Sequence, residues 1–285
     1  MIDSAASNPP QTGVLWSPRF RLRAVVAFVL ALYLLPIAGA PPTTNPNEVV
    51  RIEGAVALGG FGSVTIDPVI ADYGLSEDVS SRQGQLYLDK APGLSLLGVP
   101  LFWLGSVTMA PATQHDLPAY WPLRHLMTAV LVALPTALLP FLLVFRERSV
   151  PEHLRAPLAA VLALSTPLWT YGTVFFGHAP AAVLVGVAWW LLCADETSQN
   201  TDLPRTRFWG GVAAGFAVAT EYPTVLLVGV IVLGFGLHRP TRREVVAAWC
   251  GAILGVRPAL VYKQLAFGAP WTTGYSFTAD PGFAA

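Results

Sequence analysis

Long apolar runs alternate with short polar joints along most of this chain, and the runs have helix length rather than strand length. A membrane-crossing helix needs about 20 mostly apolar residues, because without water every backbone N–H and C=O must be satisfied inside the segment. Runs approaching that condition lie at 24–40, 123–145, 156–176, 179–193, 208–220, 224–237 and 245–262. The first is preceded by Arg19, Arg21 and Arg23 and ends at Pro41-Pro42. Ala38-Gly39-Ala40 resembles a signal-peptide cleavage site, but the run is long for a signal core and further spans follow, so a retained helix is expected. The runs at 208–220 and 224–237 are short and separated by Glu221-Tyr222-Pro223, so they could form one interrupted hairpin. The stretch 94–110 is apolar but carries Gly98, Pro100 and Gly105, and is expected to be a re-entrant or interfacial helix.

Arginine sets the expected orientation, since basic residues are retained on the cytoplasmic side. They gather at Arg19/Arg21/Arg23, Arg146/Arg148/Arg155, Arg205/Arg207 and Arg239/Arg242/Arg243. All four groups fall on one side only if 94–110 does not cross. The expected architecture is therefore all-α and polytopic, with about seven transmembrane helices and the N-terminus in the cytoplasm of a cell-membrane protein. Its parts are a cytoplasmic tail at 1–23, a transmembrane domain at 24–262 with a long extracytoplasmic loop at 41–122, and an outer tail at 263–285.

Composition sharpens this picture. Hydrophobic residues make up 54% and charged residues 12%, with a mean hydropathy of +0.54. A soluble domain carries about 25% charged residues, so a water-soluble globule is excluded, as is a disordered chain. Seventeen basic residues balance 17 acidic ones, which removes a nucleic-acid partner held by charge. Cys193 and Cys250 lie in apolar runs and are expected to be packing residues. No metal-ligand spacing occurs, so no metal site is expected, and no cofactor is indicated.

Candidate chemistry collects in the outer loop and at the outer ends of the spans. Glu48 and Arg51 follow the first span at i, i+3 spacing, which on a helix allows a mutual ion pair. Gly59, Gly60 and Gly62 precede a short extended stretch running into Asp67. Tyr87, Asp89 and Lys90 stand just before Pro92, where polar chain passes into apolar helix. Such a helix start with an adjacent lysine suits a phosphate, although Lys90 and Tyr87 can also serve as interfacial anchors. His178, Glu221, Arg257 and Lys263 all map to the outer side, which suggests a shared cavity, with a structural Glu221–Arg257 pair as the plain alternative. Trp271 and Tyr275 in the outer tail are open to a sugar-stacking reading, and Gly211-Val-Ala-Ala-Gly215 is a small-residue helix contact.

The order of these features resembles the membrane glycosyltransferases of the GT-C superfold. The nearest groups are the protein O-mannosyltransferases, the aminoarabinose transferases of lipid A and their bacterial relatives. Pro46-Asn47-Glu48 looks like the Pro-Asp-Glu motif after the first span, and Lys90-Ala91-Pro92 like the Lys-Pro-Pro motif at the end of the loop. The resemblance implies transfer of a sugar from a polyprenyl-phosphate donor to an extracytoplasmic acceptor, so the implied partners are the lipid-linked sugar and the bilayer. It also implies an acidic base in the first outer loop and basic residues on the lipid phosphate. Here the position matching the usual Asp is Asn47, and an amide takes no proton, which makes Glu48 the expected base and Asp67 the second choice. Arg51, Tyr87, Asp89, Lys90, His178, Glu221 and Arg257 are the expected substrate-binding residues. The alternatives are a transporter or flippase built on the broken hairpin at Glu221, and a non-catalytic, truncated GT-C relative.

Overall fold

The computed structural model describes residues 17–40, 45–73, 78–108, 121–193 and 202–277. Glu77, Asp116, most of the tail at 1–23 and the end of the tail at 263–285 lie outside them. Helix dominates, in line with the expected class, and three helices are long and apolar enough to cross a membrane: Arg19–Gly39, Pro122–Arg146 and Arg242–Phe267.

Helix α1 (Pro18–Gly39) starts where the Ser17 hydroxyl accepts the Phe20 amide and Pro18 occupies the first turn, where its missing N–H costs nothing. The described residues at 45–73 and 78–108 are largely folded rather than open loop. Asn45 caps α2 (Pro46–Gly60), which is followed by α3 (Asp67–Tyr73). A two-stranded antiparallel hairpin, β1 (Val79–Arg82) with β2 (Gln85–Leu88), pairs Val79 with Leu88 and Arg82 with Gln85. Its turn uses Gln83 and Gly84, both at positive φ. Helix α4 (Gly93–Thr108) then packs along α2, where Gly59 and Gly60 lie flat against Phe102. The glycine cluster thus serves helix packing, while Gly62 makes the turn at φ 61°.

The run expected at 123–145 is a composite: α5 (Trp121–Met127), a π-helical stretch (Thr128–Ala133) and α6 (Leu134–Arg146). Pro135 and Pro140 lack the N–H groups needed for regular bonding, and the widened stretch directly precedes the first of them. The run expected at 156–176 is likewise broken. Helix α7 (Glu152–Leu164) ends at Ser165, and Thr166 caps the short α8 (Pro167–Tyr171). Helix α9 (His178–Leu192) follows, and then α10 (Leu203–Thr220) and α11 (Thr224–Leu237), two helices joined by the short break at Glu221-Tyr222-Pro223. On α11, Leu226, Leu233 and Leu237 are 75%, 73% and 84% exposed. An outward leucine face of this kind is the inverse of a soluble helix and suits hydrocarbon.

Helix α12 (Arg242–Phe267) opens with a capping box between Thr241 and Glu244 and closes at Gly268 with φ 74°. Its 26 residues span about 39 Å, enough for a bilayer core of about 30 Å. It packs along α10 in the most extensive helix–helix contact of the molecule. Gly211 and Gly215 face Gly251 and Gly255, and a Cβ at any of them would overlap a carbonyl of the opposite helix. Backbones this close gain dispersion and weak Cα–H···O contacts that lipid cannot supply. At the Arg242 end, the buried Arg207 Nε meets Glu244 Oε2 at 3.3 Å and a guanidinium nitrogen donates to the Leu191 carbonyl at 2.6 Å. Cys193 and Cys250 are both free thiols.

Gly215→Leu places a branched side chain against the Ala252 carbonyl. We expect detergent-solubilised protein of this variant to lose at least the 1–3 kcal/mol typical of overpacking, read as a fall in Tm by nanoDSF, whereas Gly229→Leu, at a site open on all sides, leaves Tm unchanged.

Candidate functional site

The sequence places charged residues at the ends of helices that are far apart in the chain, and the fold brings these ends together. At the end of the helical body where α9 and α11 begin and α10 and α12 finish, α2 and the hairpin supply the remaining residues.

Arg51 is the hub. It is only 2% exposed and spends its guanidinium on three elements. Its Nε donates to Asn47 Oδ1 at 3.0 Å, Nη1 to the Ala91 carbonyl at 3.3 Å, and Nη2 to Glu221 Oε1 at 2.8 Å. Its own carbonyl accepts from Ser95 Oγ at 2.8 Å. Burial lowers the Arg51 pKa, and the Glu221 carboxylate works against that shift. Gly93 lies against the Ala219 carbonyl and Gly177 against the Glu221 side chain, approaches that no Cβ would allow. The same Glu221 Oε1 is 3.4 Å from His178 Nδ1, so a chain of contacts runs from Asn47 through Arg51 and Glu221 to His178.

Glu48 and Arg51 do not pair with each other as their spacing suggested. Glu48 is buried, takes Arg124 Nη2 at 3.0 and 3.2 Å, and accepts the Phe175 amide at 2.5 Å. Its carboxylate is thereby committed to protein groups. Sequence reasoning missed Arg124, whose signal was an arginine in the first turn of an otherwise apolar run. Asp67 is also engaged, accepting the Leu86 amide at 3.3 and 3.1 Å, which fastens the hairpin. Tyr87 donates to Gln85 Oε1 at 2.8 Å, and its ring meets Phe267 at 5.7 Å between centroids, again a fastening role.

A second group adjoins the first. Lys90 lies between Asp89 at 2.6 Å and Asp78 at 3.0 Å. Burial pulls the Lys90 ammonium down, but the two carboxylates outweigh it and hold the pKa above that of ordinary lysine. Burial in turn pushes the Asp89 carboxyl up, against the pull of Lys90. Asp89 Oδ1 is fully buried and takes no hydrogen bond. The ammonium also sits 5.7 Å from the Tyr275 ring centroid, and the Lys263 ammonium sits 4.8 Å from that of Tyr222. The two phenol rings meet edge-on at 6.5 Å, and burial raises the pKa of both. Lys263 is 7% exposed, and among the described residues no carboxylate forms a salt bridge with it. Ser80 Oγ donates to the Gly274 carbonyl at 2.7 Å, which holds the 3₁₀ turn Gly274–Phe277 and its Tyr275 over the group.

Protein-family models, curated proteins and solved structures were all compared with the chain, and none of them matches it. The function must therefore be argued from this cluster alone.

Arg257 is not part of the cluster. Helix α12 runs to Phe267, so Arg257 lies about 15 Å of helix short of that end, exposed beside Ile253 and Leu254. The plain alternative of a Glu221–Arg257 pair gives way to Glu221–Arg51. Trp271 is 80% exposed, away from the aromatic pair that Tyr275 joins. Beside His178 lies an apolar groove of about 420 Å³ between α8 and the start of α9, within the range of small-molecule sites. Among the described residues no group of three or more His, Cys, Asp or Glu side chains could hold a metal ion.

Removing one partner of a buried ion pair leaves the other uncompensated. Glu48→Gln is expected to cost about 3–5 kcal/mol and lower the yield of folded protein, because the buried Arg124 loses the Glu48 carboxylate opposite it. Fluorescence-detected size exclusion and Tm measurement check this, and Glu48→Leu combined with Arg124→Leu should recover much of the loss.

Proposed function

We propose that the protein is a membrane glycosyltransferase of the GT-C type, with about seven membrane segments, that moves a sugar from a polyprenyl-phosphate donor to a hydroxyl acceptor at the outer face. The single observation that carries this reading is the convergence of Arg51, Glu221, His178, Lys90, Lys263 and two tyrosines at one end of an apolar helical body, beside an apolar groove. Charged groups at the lipid boundary are costly and need an occupant or a partner.

On this reading the loop carboxylate Glu48 is a structural ion and the base is Glu221. Arg51 contacts Asn47, which holds the position of the family's acidic residue, and on its other side it contacts Glu221. Among the described residues the Glu221 carboxylate is engaged through Oε1 alone, and His178 adjoins it. The acceptor O–H proton passes to the Glu221–His178 pair as its oxygen attacks the anomeric carbon. The bond from that carbon to the phosphate oxygen breaks, and the phosphate leaves with the electron pair. Lys263 stabilises the charge that develops there, Lys90 being held between Asp89 and Asp78, and the aromatic faces of Tyr222 and Tyr275 suit the sugar ring.

Glu221→Gln keeps an amide oxygen for Arg51 while removing the base. Transfer from a radiolabelled polyprenyl-phosphate sugar in proteoliposomes should fall about 10²–10⁴-fold, with Tm nearly unchanged. Full activity in this variant would refute the assignment.

Orientation is tested separately. A cysteine at position 78 should react with an impermeant maleimide in intact cells, whereas one at position 148 should react only after lysis. The reverse pattern would invert the topology and remove the transferase reading.

A second reading has one specific observation in its favour. Glu48, the acidic residue the motif supplies, is buried and fully engaged, which suits a non-catalytic relative that keeps the fold without the chemistry.

A further inference from the structure

The groove beside His178 has two unlike ends. Thr166, Leu168, Ala179 and Ala182 give it an almost wholly apolar wall. The Thr166 hydroxyl is spent within its own turn, donating to the Leu162 carbonyl at 2.9 Å and accepting the Leu168 amide at 3.3 Å. At the mouth stand Tyr171 and His178, whose rings meet edge-on at 4.9 Å. Tyr171 is 37% exposed, and its hydroxyl has no hydrogen-bond partner among the described residues. The His178 side chain is 49% exposed, with Nδ1 turned to Glu221 at 3.4 Å. In the neutral ring with its proton on Nδ1, the nitrogen nearer this carboxylate, Nε2 carries a lone pair. The mouth therefore offers one hydroxyl donor and one nitrogen acceptor, with a carboxylate behind them.

This set selects by charge. Among the described residues no lysine or arginine lines the groove to hold a phosphate or carboxylate head, whereas the Lys263 ammonium sits on the tyrosine side of the cluster. A neutral hydroxyl head can accept from Tyr171 and donate to His178. An apolar chain of modest length fills the remainder.

We propose that the groove is a binding site for a single-chain lipid alcohol, with its hydroxyl held between Tyr171 and His178 and its chain along Leu168 and Ala182. Only the role of this alcohol as the sugar acceptor rests on the transferase reading; the binding itself does not. The site is separate from the cationic side where a phosphate is stabilised, so the two amphiphiles approach the cluster from different directions.

The test uses the full chain in nanodiscs with a hexadecanol carrying a diazirine near the chain end, and a matched hexadecyl phosphate probe. The alcohol is expected to label the peptide covering 166–182 at least fivefold more than the phosphate. Ala182→Trp, which fills the groove, should abolish that labelling, and His178→Phe with Tyr171→Phe should remove the preference for alcohol while keeping the protein monodisperse. Equal labelling by both probes would show annular lipid contact only and overturn the proposal. So would labelling that survives in both variants. Specific labelling without sugar transfer to hexadecanol, when a polyprenyl-phosphate sugar is supplied, would leave the site standing and count against the transferase reading.

Discussion

The structure depends on one buried guanidinium. Arg51 joins the first amphipathic helix of the loop region to the link before α4 and to the turn between α10 and α11, elements up to 170 residues apart in the chain. An arginine taken out of water is tolerable only when its donors are satisfied and its charge is opposed. Asn47, the Ala91 carbonyl and Glu221 do this together, so none of the three elements can leave without exposing an unpaired charge to an apolar surround. The loop region is consequently part of the helical body.

A second buried pair repeats this logic alongside. Glu48 and Arg124 connect α2 to α5, and the Phe175 amide brings in the segment before α9. The two pairs start from neighbouring turns of α2 and diverge, one towards α10–α11 and the other towards α5 and α9. Their divergence explains why an i, i+3 pair of opposite charges forms no bond with itself: each residue finds a better-buried partner across the fold, where Coulomb attraction is less screened.

The apolar runs could be read from the sequence, because a long hydrophobic stretch has few other uses, and the helices appear close to where composition put them. Boundaries were less legible. Ser165-Thr166 divides a run that looks continuous, because a hydroxyl can cap the helix that starts at Pro167. The last helix continues past Tyr262 to Phe267, because Lys263 and Gln264 look polar in sequence while the local geometry stays helical until Gly268. At the site, the fold gathers Asp89, Lys90, His178 and Glu221 at one end of the helical body. Their partners were not legible, since Arg51–Glu221 and Glu48–Arg124 are long-range pairings that no local spacing encodes. Arg257 illustrates the converse: it is near in sequence to Lys263 but lies on another face of the same helix.

The glycine seam between α10 and α12 bears on how a substrate could enter. The C-terminal end of α10 leads directly into Glu221, and the C-terminal part of α12 carries Lys263, so these two charged residues ride on two backbones locked at van der Waals distance. That pair behaves as a single stiff strut. Any widening of the cluster must therefore come from the opposite wall, where the hairpin is packed into the core through Val79, Tyr87 and Leu88, while side-chain hydrogen bonds fasten the Gly274–Phe277 turn to Ser80 and Trp169 of the short α8 to the Leu32 carbonyl.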